Sequence, residues 1–376
     1  MLPDLLQRGF IELDLIQSLQ VIALGFVGGV LSGFIGSGGA FFMTPGMMNL
    51  GIAGPVAVGS NITHKFGKAI IGSKKHGELG HVDRKLAVFM LITAAIGIRL
   101  AVWVMKLVSG SADTHGGHGV QGGPAADLYI SAVFVSVLSV VSYTMLRDTL
   151  RGGNGAAAKP SRRLVEFLNS LRLRPLVHFP VADVKVSLWV VLVCGLLTGY
   201  LAGTIGVGGF IGVPAMIYVF GVSAQVAAGS ELFLAIFMGA FGALNYGFEG
   251  MVDLRLVLLL YTGSLVGIHI GAYGTKVVKE VVIRFATGMI IALCVFSRLI
   301  AMVVYMRQLS VVSYDPAWDA YLNFTSKGIL YASGASTAVV ILWFVFRAYV
   351  QRRRIHASIA TSRPMAPDGA MERKEA

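Results

Sequence analysis

Two apolar runs in this chain are interrupted by nearly the same glycine-rich stretch. It reads GFIGSGGAFFMTPGM from Gly33 and, 170 residues later, GTIGVGGFIGVPAM from Gly203. Each glycine costs a helix interior about 1 kcal/mol and a proline about 3 kcal/mol, so neither stretch is expected to continue as a regular helix. The surrounding runs are nevertheless long enough to cross a bilayer, since about 20 apolar residues span a core of about 30 Å. Backbone released from a helix at that depth is tolerated only where it lines protein or a water-filled cavity. The same break made twice therefore predicts a membrane protein with an internal duplication and a cavity at the breaks.

The duplication extends well beyond the two stretches. At a constant offset of 170, Gly25, Gly29, Gly33, Gly36, Gly38 and Gly39 fall on Gly195, Gly199, Gly203, Gly206, Gly208 and Gly209. Gly51 falls on Gly221, Gly59-Ser60 on Gly229-Ser230, Val82-Asp83 on Val252-Asp253 and Gly97-Ile98 on Gly267-Ile268. Only a one-residue slip at Pro45 and Pro214 interrupts the register. A register held this long is the signature of an internal repeat.

Apolar segments lie at about 18–50, 54–73, 86–108, 128–147, 187–221, 224–246, 255–275, 281–305 and 328–350. The chain is 55% hydrophobic and only 13% charged, which excludes an ordinary soluble enzyme of 376 residues. Period-two alternation, the mark of an outer-membrane barrel, is absent. The net charge of +12 comes in blocks that flank apolar segments: Lys74 to Lys85, Arg147 to Lys185 and Arg347 to Lys374. Such blocks fit the positive-inside rule and not nucleic-acid binding. Both cysteines, Cys194 and Cys294, are inside apolar segments, so neither a disulfide framework nor a cysteine metal site is expected. The N-terminal MLPDLLQRGFIELD lacks a signal peptide's basic region and reads as a short interfacial helix.

Charge also predicts topology. The first copy's loop SKKHGELGHVDRK is basic and its counterpart YGFEGMVDLR is not, whereas TKVVKEVVIR is basic and its first-copy counterpart, including loop 109–127, is not. Basic and non-basic loops swap between the copies, as in inverted-topology repeats. Four full spans per copy would make the copies parallel; a broken segment that enters and leaves by one face restores the inversion. The expected fold is an all-α membrane protein with two inverted-topology repeats and an additional C-terminal transmembrane helix. Each repeat has a glycine-broken re-entrant helical hairpin plus three transmembrane helices. The divisions are an interfacial segment 1–17, repeats 18–147 and 187–305, a basic cytoplasmic linker 148–186, an external loop and extra helix 306–350, and a basic tail 351–376. The N-terminus and loop 109–127 are expected outside; the linker and tail are expected inside.

The breaks imply a chemistry. The second limb of each broken segment starts at the break, and a helix N-terminus carries about half a positive charge and unpaired N–H groups. Two such ends, at Ser37, Gly38 and Gly39 and at Gly208 and Gly209, are expected near each other at mid-membrane, where they suit an oxyanion. The spacing of Gly25, Gly29 and Gly33, and of Gly195, Gly199 and Gly203, reads as plain helix packing. After the first break, GSNITHKFGKAIIGSKK gathers Asn61, His64, Lys65 and Lys68 within about a 100° arc. Lys74 and Lys75 read as interface anchors. Lys65 and Lys68 are deeper, roughly 10–15 Å from the cytoplasmic edge at 1.5 Å per residue. Lysine at that depth costs about 2.5 kcal/mol or more and marks a pathway; the plainer reading pairs it with Glu231 or lets it reach cytosolic water. In the second copy Glu231 follows Ser230 where Asn61 follows Ser60, and Leu234, Ala235 and Met238 replace His64, Lys65 and Lys68. Glu231 is open as a proton carrier, a lysine partner or a latch, and Arg99, His269 and Arg298 as structural groups. His115 and His118 in HGGH are a weak metal candidate, and no metal, cofactor or catalytic residue is expected.

At the glycine breaks, the duplicated G-S-N/E positions and the G-x-V-D loops, the chain resembles the TauE/SafE, or sulfite exporter, family over about residues 20–305. The resemblance implies a duplicated helical transporter associated with sulfite, sulfonates and other small organosulfur or C2 anions. The expected function is a secondary transporter for a small sulfur-containing oxyanion in a bacterial cytoplasmic membrane, with protons as a candidate coupling ion. The alternatives are an anion channel and a carrier of a small C2 carboxylate. An enzyme is not expected. Direction of transport and oligomeric state are not written in the sequence.

Overall fold

The computed structural model describes residues 11, 13–35, 39–110, 122–151, 174–206, 208–278 and 280–361. The expected interfacial helix at the N-terminus, His115 and His118, most of the basic linker, the residues 36–38 of the first break and the end of the tail lie outside the described residues.

Eleven described helices carry the fold: α1 (Leu15–Ile35), α2 (Ala40–Asn49), α3 (Gly54–Glu78), α4 (Arg84–Ser109), α5 (Pro124–Arg151), α6 (Leu188–Ile205), α7 (Gly209–Tyr218), α8 (Ala224–Phe248), α9 (Leu254–Val277), α10 (Glu280–Gln308) and α11 (Trp318–Thr361). Seven of them, α1, α4, α5, α6, α8, α9 and α10, are long and apolar enough to cross a membrane. The chain is thus mainly helical and built for a bilayer. Helix α3 has the length, 25 residues, but carries Lys65, Lys68, Lys74 and Lys75, so it depends on its neighbours for shelter. The helix expected at 328–350 is longer than predicted. It starts at Trp318, where Arg307 at the end of α10 holds Asp319 through Nε at 2.9 Å.

The first five helices match the second five in order, and their contacts are reciprocal. Helix α1 packs along α9, and α6 along α4. A Cβ on Gly25, Gly29 or Gly33 would strike the backbone of Leu260, Ser264 or Ile268. On Gly195 or Gly199 it would strike the backbone of Met90 or Ala94, and on Gly203 it would crowd Ala101 and Ile98. These partners are related by the same offset of 170. Partner numbers rise together, so each pair runs parallel. Small residues let the backbones touch, the expected use of this spacing. Helices α3 and α8 run antiparallel instead: Gly242 meets Ile62, Gly239 meets Phe66 and Gly72 meets Leu232.

The G-x-V-D loops show the same reciprocity. Asp83 caps α4 by accepting from Leu86 N, and Asp253 caps α9 by accepting from Leu256 N, both at 3.0 Å. Each loop is tied to the opposite repeat, Asp83 N donating to Ser230 Oγ at 2.9 Å and Asp253 N to Ser60 Oγ at 3.1 Å. The second carboxylate oxygen of Asp253 accepts from Ile11 N, and that of Asp83 from Val181 N and Ala182 N. Ile11 and Val181 are again 170 apart, so the repeat begins before α1. Val181 is the turn of a two-stranded antiparallel hairpin, β1 (Leu176–Phe179) and β2 (Val184–Ser187). This hairpin lies at the end of the segment that reads in sequence as a basic linker. Lys85 Nζ fastens it by donating to His178 O at 2.9 Å.

Candidate functional site

The two glycine stretches do break their helices. Helix α1 ends at Ile35 and α2 starts at Ala40; α6 ends at Ile205 and α7 starts at Gly209. In the second repeat Gly206 ends α6 in the left-handed region, φ 75°, with its N–H bonded to Ala202 O at 2.9 Å. Glycine adopts that conformation at no steric cost. Helix α2 doubles back along α1, since Gly39 sits on the Gly28 carbonyl and Gly46 on Leu24. The limbs are unequal. At 1.5 Å per residue the 21 residues of α1 cover about 31 Å, and the 10 of α2 about 15 Å. Gly33, near the first break, touches Ile268 and Ala272, beyond the middle of α9. The first limb therefore runs past the middle of its partner helix α9.

Backbone groups left over at the second break are satisfied from elsewhere, as a low-dielectric setting requires. Thr44 Oγ1 on α2 donates to Ile205 O at 3.1 Å, and Tyr246 Oη on α8 donates to Gly203 O at 2.5 Å. Tyr129 Oη and Tyr200 Oη are 2.5 Å apart, and Thr204 Oγ1 donates to Tyr200 O. The Thr44 bond brings the first repeat's short limb against the second repeat's break.

Helix α3 supplies the polar wall. Asn61 is fully buried, and its Nδ2 donates to Ala40 O at 2.9 Å and to Thr44 Oγ1 at 2.8 Å. A Cβ on Gly206 would lie 3.0 Å from Asn61 Nδ2 and 3.1 Å from Thr44 Oγ1. One turn on, Lys65 Nζ would lie 2.9 Å from a Cβ on Gly208. Asn61 and Lys65 thus flank the second break, with the lysine at the start of α7. There the macrodipole and the N–H groups of the first turn add to its positive charge. Lys65 Nζ is 3.7 Å from Glu231 Oε1; the two side chains are 12% and 2% exposed. Among the described residues neither carboxylate oxygen of Glu231 has a hydrogen-bond partner, and the carboxylate lies against Gly212 in the first turn of α7. Lys68 is half-buried and, among the described residues, makes no hydrogen bond or ion pair.

The other residues singled out in the sequence lie elsewhere. Ser37 and Gly38 are outside the described residues, so their expected approach to Gly208 is too. Gly39 is a contact within the α1–α2 hairpin, and Gly209 is the buried first residue of α7. His64 faces α9, its Nε2 2.7 Å from Ser264 Oγ and its ring 4.6 Å from that of Tyr261. Ser230 serves the Asp83 loop. Arg99 donates to Asn245 Oδ1 at 3.0 Å, and His269 Nδ1 meets Leu265 O of its own helix. Arg298, 1% exposed, donates to Asn49 at the end of α2. Thr44 and Tyr246 were not singled out: Thr44 sits at the register slip before Pro45, and a tyrosine in an apolar run carries no positional signal.

A sequence model of the sulfite exporter TauE/SafE family matches residues 21–299. The chain is 24% identical over 258 residues to the probable membrane transporter protein YjnA of Bacillus subtilis (strain 168), covering 68% of this chain and 89% of that protein. It is 22% identical over 272 residues to the probable membrane transporter protein YdhB of the same organism, covering 71% and 94%. A probable membrane transporter protein of Xylella fastidiosa (strain 9a5c) is 26% identical over 264 residues, covering 69% of this chain and 85% of its own. No solved structure matches the chain.

Proposed function

The chain belongs to the TauE/SafE sulfite exporter family, and from that premise we propose that it is a secondary transporter for a small sulfur-containing oxyanion, sulfite or an organosulfonate. The observation that carries this reading is the meeting of Lys65 with the N-terminus of α7 at Gly208, beside buried Asn61. An anion there gains a fixed cation, free N–H groups and a helix dipole in a poorly solvated setting, where each counts for more than in water. Tetrahedral and pyramidal oxyanions present several acceptor oxygens to such a set, and partnerless Lys68 is available one turn further along α3. Saturable counterflow of labelled sulfite or methanesulfonate in proteoliposomes is expected. Conductance far above carrier turnover would favour an anion channel, and counterflow with small carboxylates alone would move the reading to a C2 carrier.

Alternating access in such a fold rests on repeats inserted in opposite senses. The antiparallel run of equivalent helices α3 and α8, and the reciprocal docking of the G-x-V-D loops, support that arrangement. With the positive-inside rule, the proposed topology has Glu78 inside and Val311 outside, in a cytoplasmic-type membrane. With Cys194 and Cys294 removed, cysteines at positions 78 and 311 should react with an impermeant thiol reagent from opposite faces. Reaction from one face would refute the inverted arrangement.

A further inference from the structure

Glu231 stands where the first repeat has Asn61, and its environment is unusual for a carboxylate. It is 2% exposed, both oxygens lack hydrogen bonds, and Lys65 at 3.7 Å is its one ion-pair partner among the described residues. Its other neighbour is the first turn of α7, at Gly212. The side chain therefore holds a negative charge at the place proposed above for the transported anion, between the same lysine and the same helix end. The carboxylate is in effect a tethered occupant of the proposed anion site.

We infer that Glu231 is the proton-binding site that couples proton movement to anion movement, a statement that rests on the proposed anion site. An anion arriving at Lys65 and Gly208 must share or take the lysine from Glu231. An ionised carboxylate left buried in that position without its counter-charge is heavily disfavoured. A proton on Glu231 removes the conflict. The charges balance: before binding, Lys65 and Glu231 sum to zero; afterwards a monovalent anion, the lysine cation and a neutral glutamic acid also sum to zero. One proton enters with one monovalent anion, and the loaded and empty forms carry the same charge across the membrane.

No other titratable group takes this part. On α3, Lys68 lies a turn beyond Lys65 and adds only positive charge, while His64 is turned to Ser264 on α9. Helix α7 brings no titratable side chain between Gly209 and Val213. At the α8 N-terminus His76 and His81 lie against Gly229, and Asp83 is engaged by the amides of Leu86, Val181 and Ala182. From α4, Arg99 is held by Asn245, about four turns along α8 from Glu231.

Methanesulfonate and ethanesulfonate, monovalent and ionised throughout the neutral range, serve as probes. Their binding to the purified protein, followed by calorimetry in two buffers of different ionisation enthalpy, should show one proton taken up per anion. Affinity should fall as pH rises, by up to about tenfold per pH unit. Glu231→Gln should bind without proton uptake and with a flat pH profile. Binding of either probe to the parent protein with no proton taken up would overturn the inference. A second measurement needs no anion. In Lys65→Met the carboxylate loses its counter-charge, so a carboxylic-acid carbonyl band should appear in the infrared spectrum and vanish in Lys65→Met/Glu231→Gln. Lys65→Gln serves equally should the methionine variant fail to fold. Absence of the band in a folded variant also overturns the inference, whereas failure of both probes to bind counts against the proposed substrate class alone.

Discussion

Replacing Lys65 with glutamine is expected to damage both the fold and anion binding, whereas the same change at Lys68 should damage binding alone. Lys65 is the counter-charge of a carboxylate that has no hydrogen bonds. Breaking a buried pair by removing one partner costs about 3–5 kcal/mol, chiefly because the other charge is stranded. Lys65→Gln should therefore unfold at a markedly lower temperature in detergent. Lys65→Gln/Glu231→Gln should recover most of that loss, because nothing charged is left behind, but should not recover anion affinity. Lys68 has no partner to strand. Losing one charge-assisted hydrogen bond to a desolvated anion is worth about 1.5–3 kcal/mol, roughly ten- to a hundredfold in affinity, with little change in melting temperature. Arginine at position 68 should rescue only partly, since its planar fork needs different room. Unaltered affinity in folded Lys68→Gln would remove that lysine from the site, and a double variant no more stable than Lys65→Gln would show that the pair is not coupled.

The parallel seams should be as sensitive as the site. A Cβ on Gly29 would lie 2.5 Å from Ser264 O and 2.7 Å from Ser264 Cα, and one on Gly199 would lie 2.5 Å from Ala94 Cα. The obstacle is backbone in both cases, and backbone inside a packed helix pair cannot step aside as a side-chain tip can. Overpacking of a core costs about 1–3 kcal/mol, so Gly29→Leu and Gly199→Leu are expected at or beyond the upper end, and close to equal. Gly77 and Gly247 give the opposite sign. Each is in a helix with open space where a Cβ would go, so alanine there should stabilise by up to about 1 kcal/mol. Thermal denaturation of the four variants checks both halves of the claim. A large difference between Gly29→Leu and Gly199→Leu would break the equivalence of the two seams.

The constant register made the seams, the breaks and the G-x-V-D loops legible in the sequence, because each needs glycine or aspartate at a fixed place for a backbone reason. The arc on α3 was legible too, because lysine in an apolar run is conspicuous. It split in space, however: Asn61 and Lys65 meet the second break, while His64 turns to α9. A helical arc about 100° wide spans more than one neighbour, and sequence spacing does not say which neighbour each edge meets. Thr44 was hidden by the shift at Pro45. The strands β1 and β2 were hidden because their anchor, Asp83, is about a hundred residues away and already explained as a helix cap. The pairing of Lys65 with Glu231 is the plainer of the two sequence readings of that lysine, and the structure sets the two groups 3.7 Å apart.

Transporters of this architecture are often pictured as one repeat rocking against the other. The seams weigh against that picture here. Helix α1 is fixed backbone-to-backbone on α9, and α6 on α4, so each tight unit is a hybrid of both repeats. Between α3 and α8 the contacts are mixed: Ile62 and Leu232 rest side chain against Gly242 and Gly72, Gly239 lies on Phe66 Cα and N, and Lys65 faces Glu231 across the joint. Side chains on glycine can slide where backbones on backbone cannot. If the molecule opens for transport, α3 and α8 are the line along which it is expected to part, with the Lys65–Glu231 pair as the clasp across it.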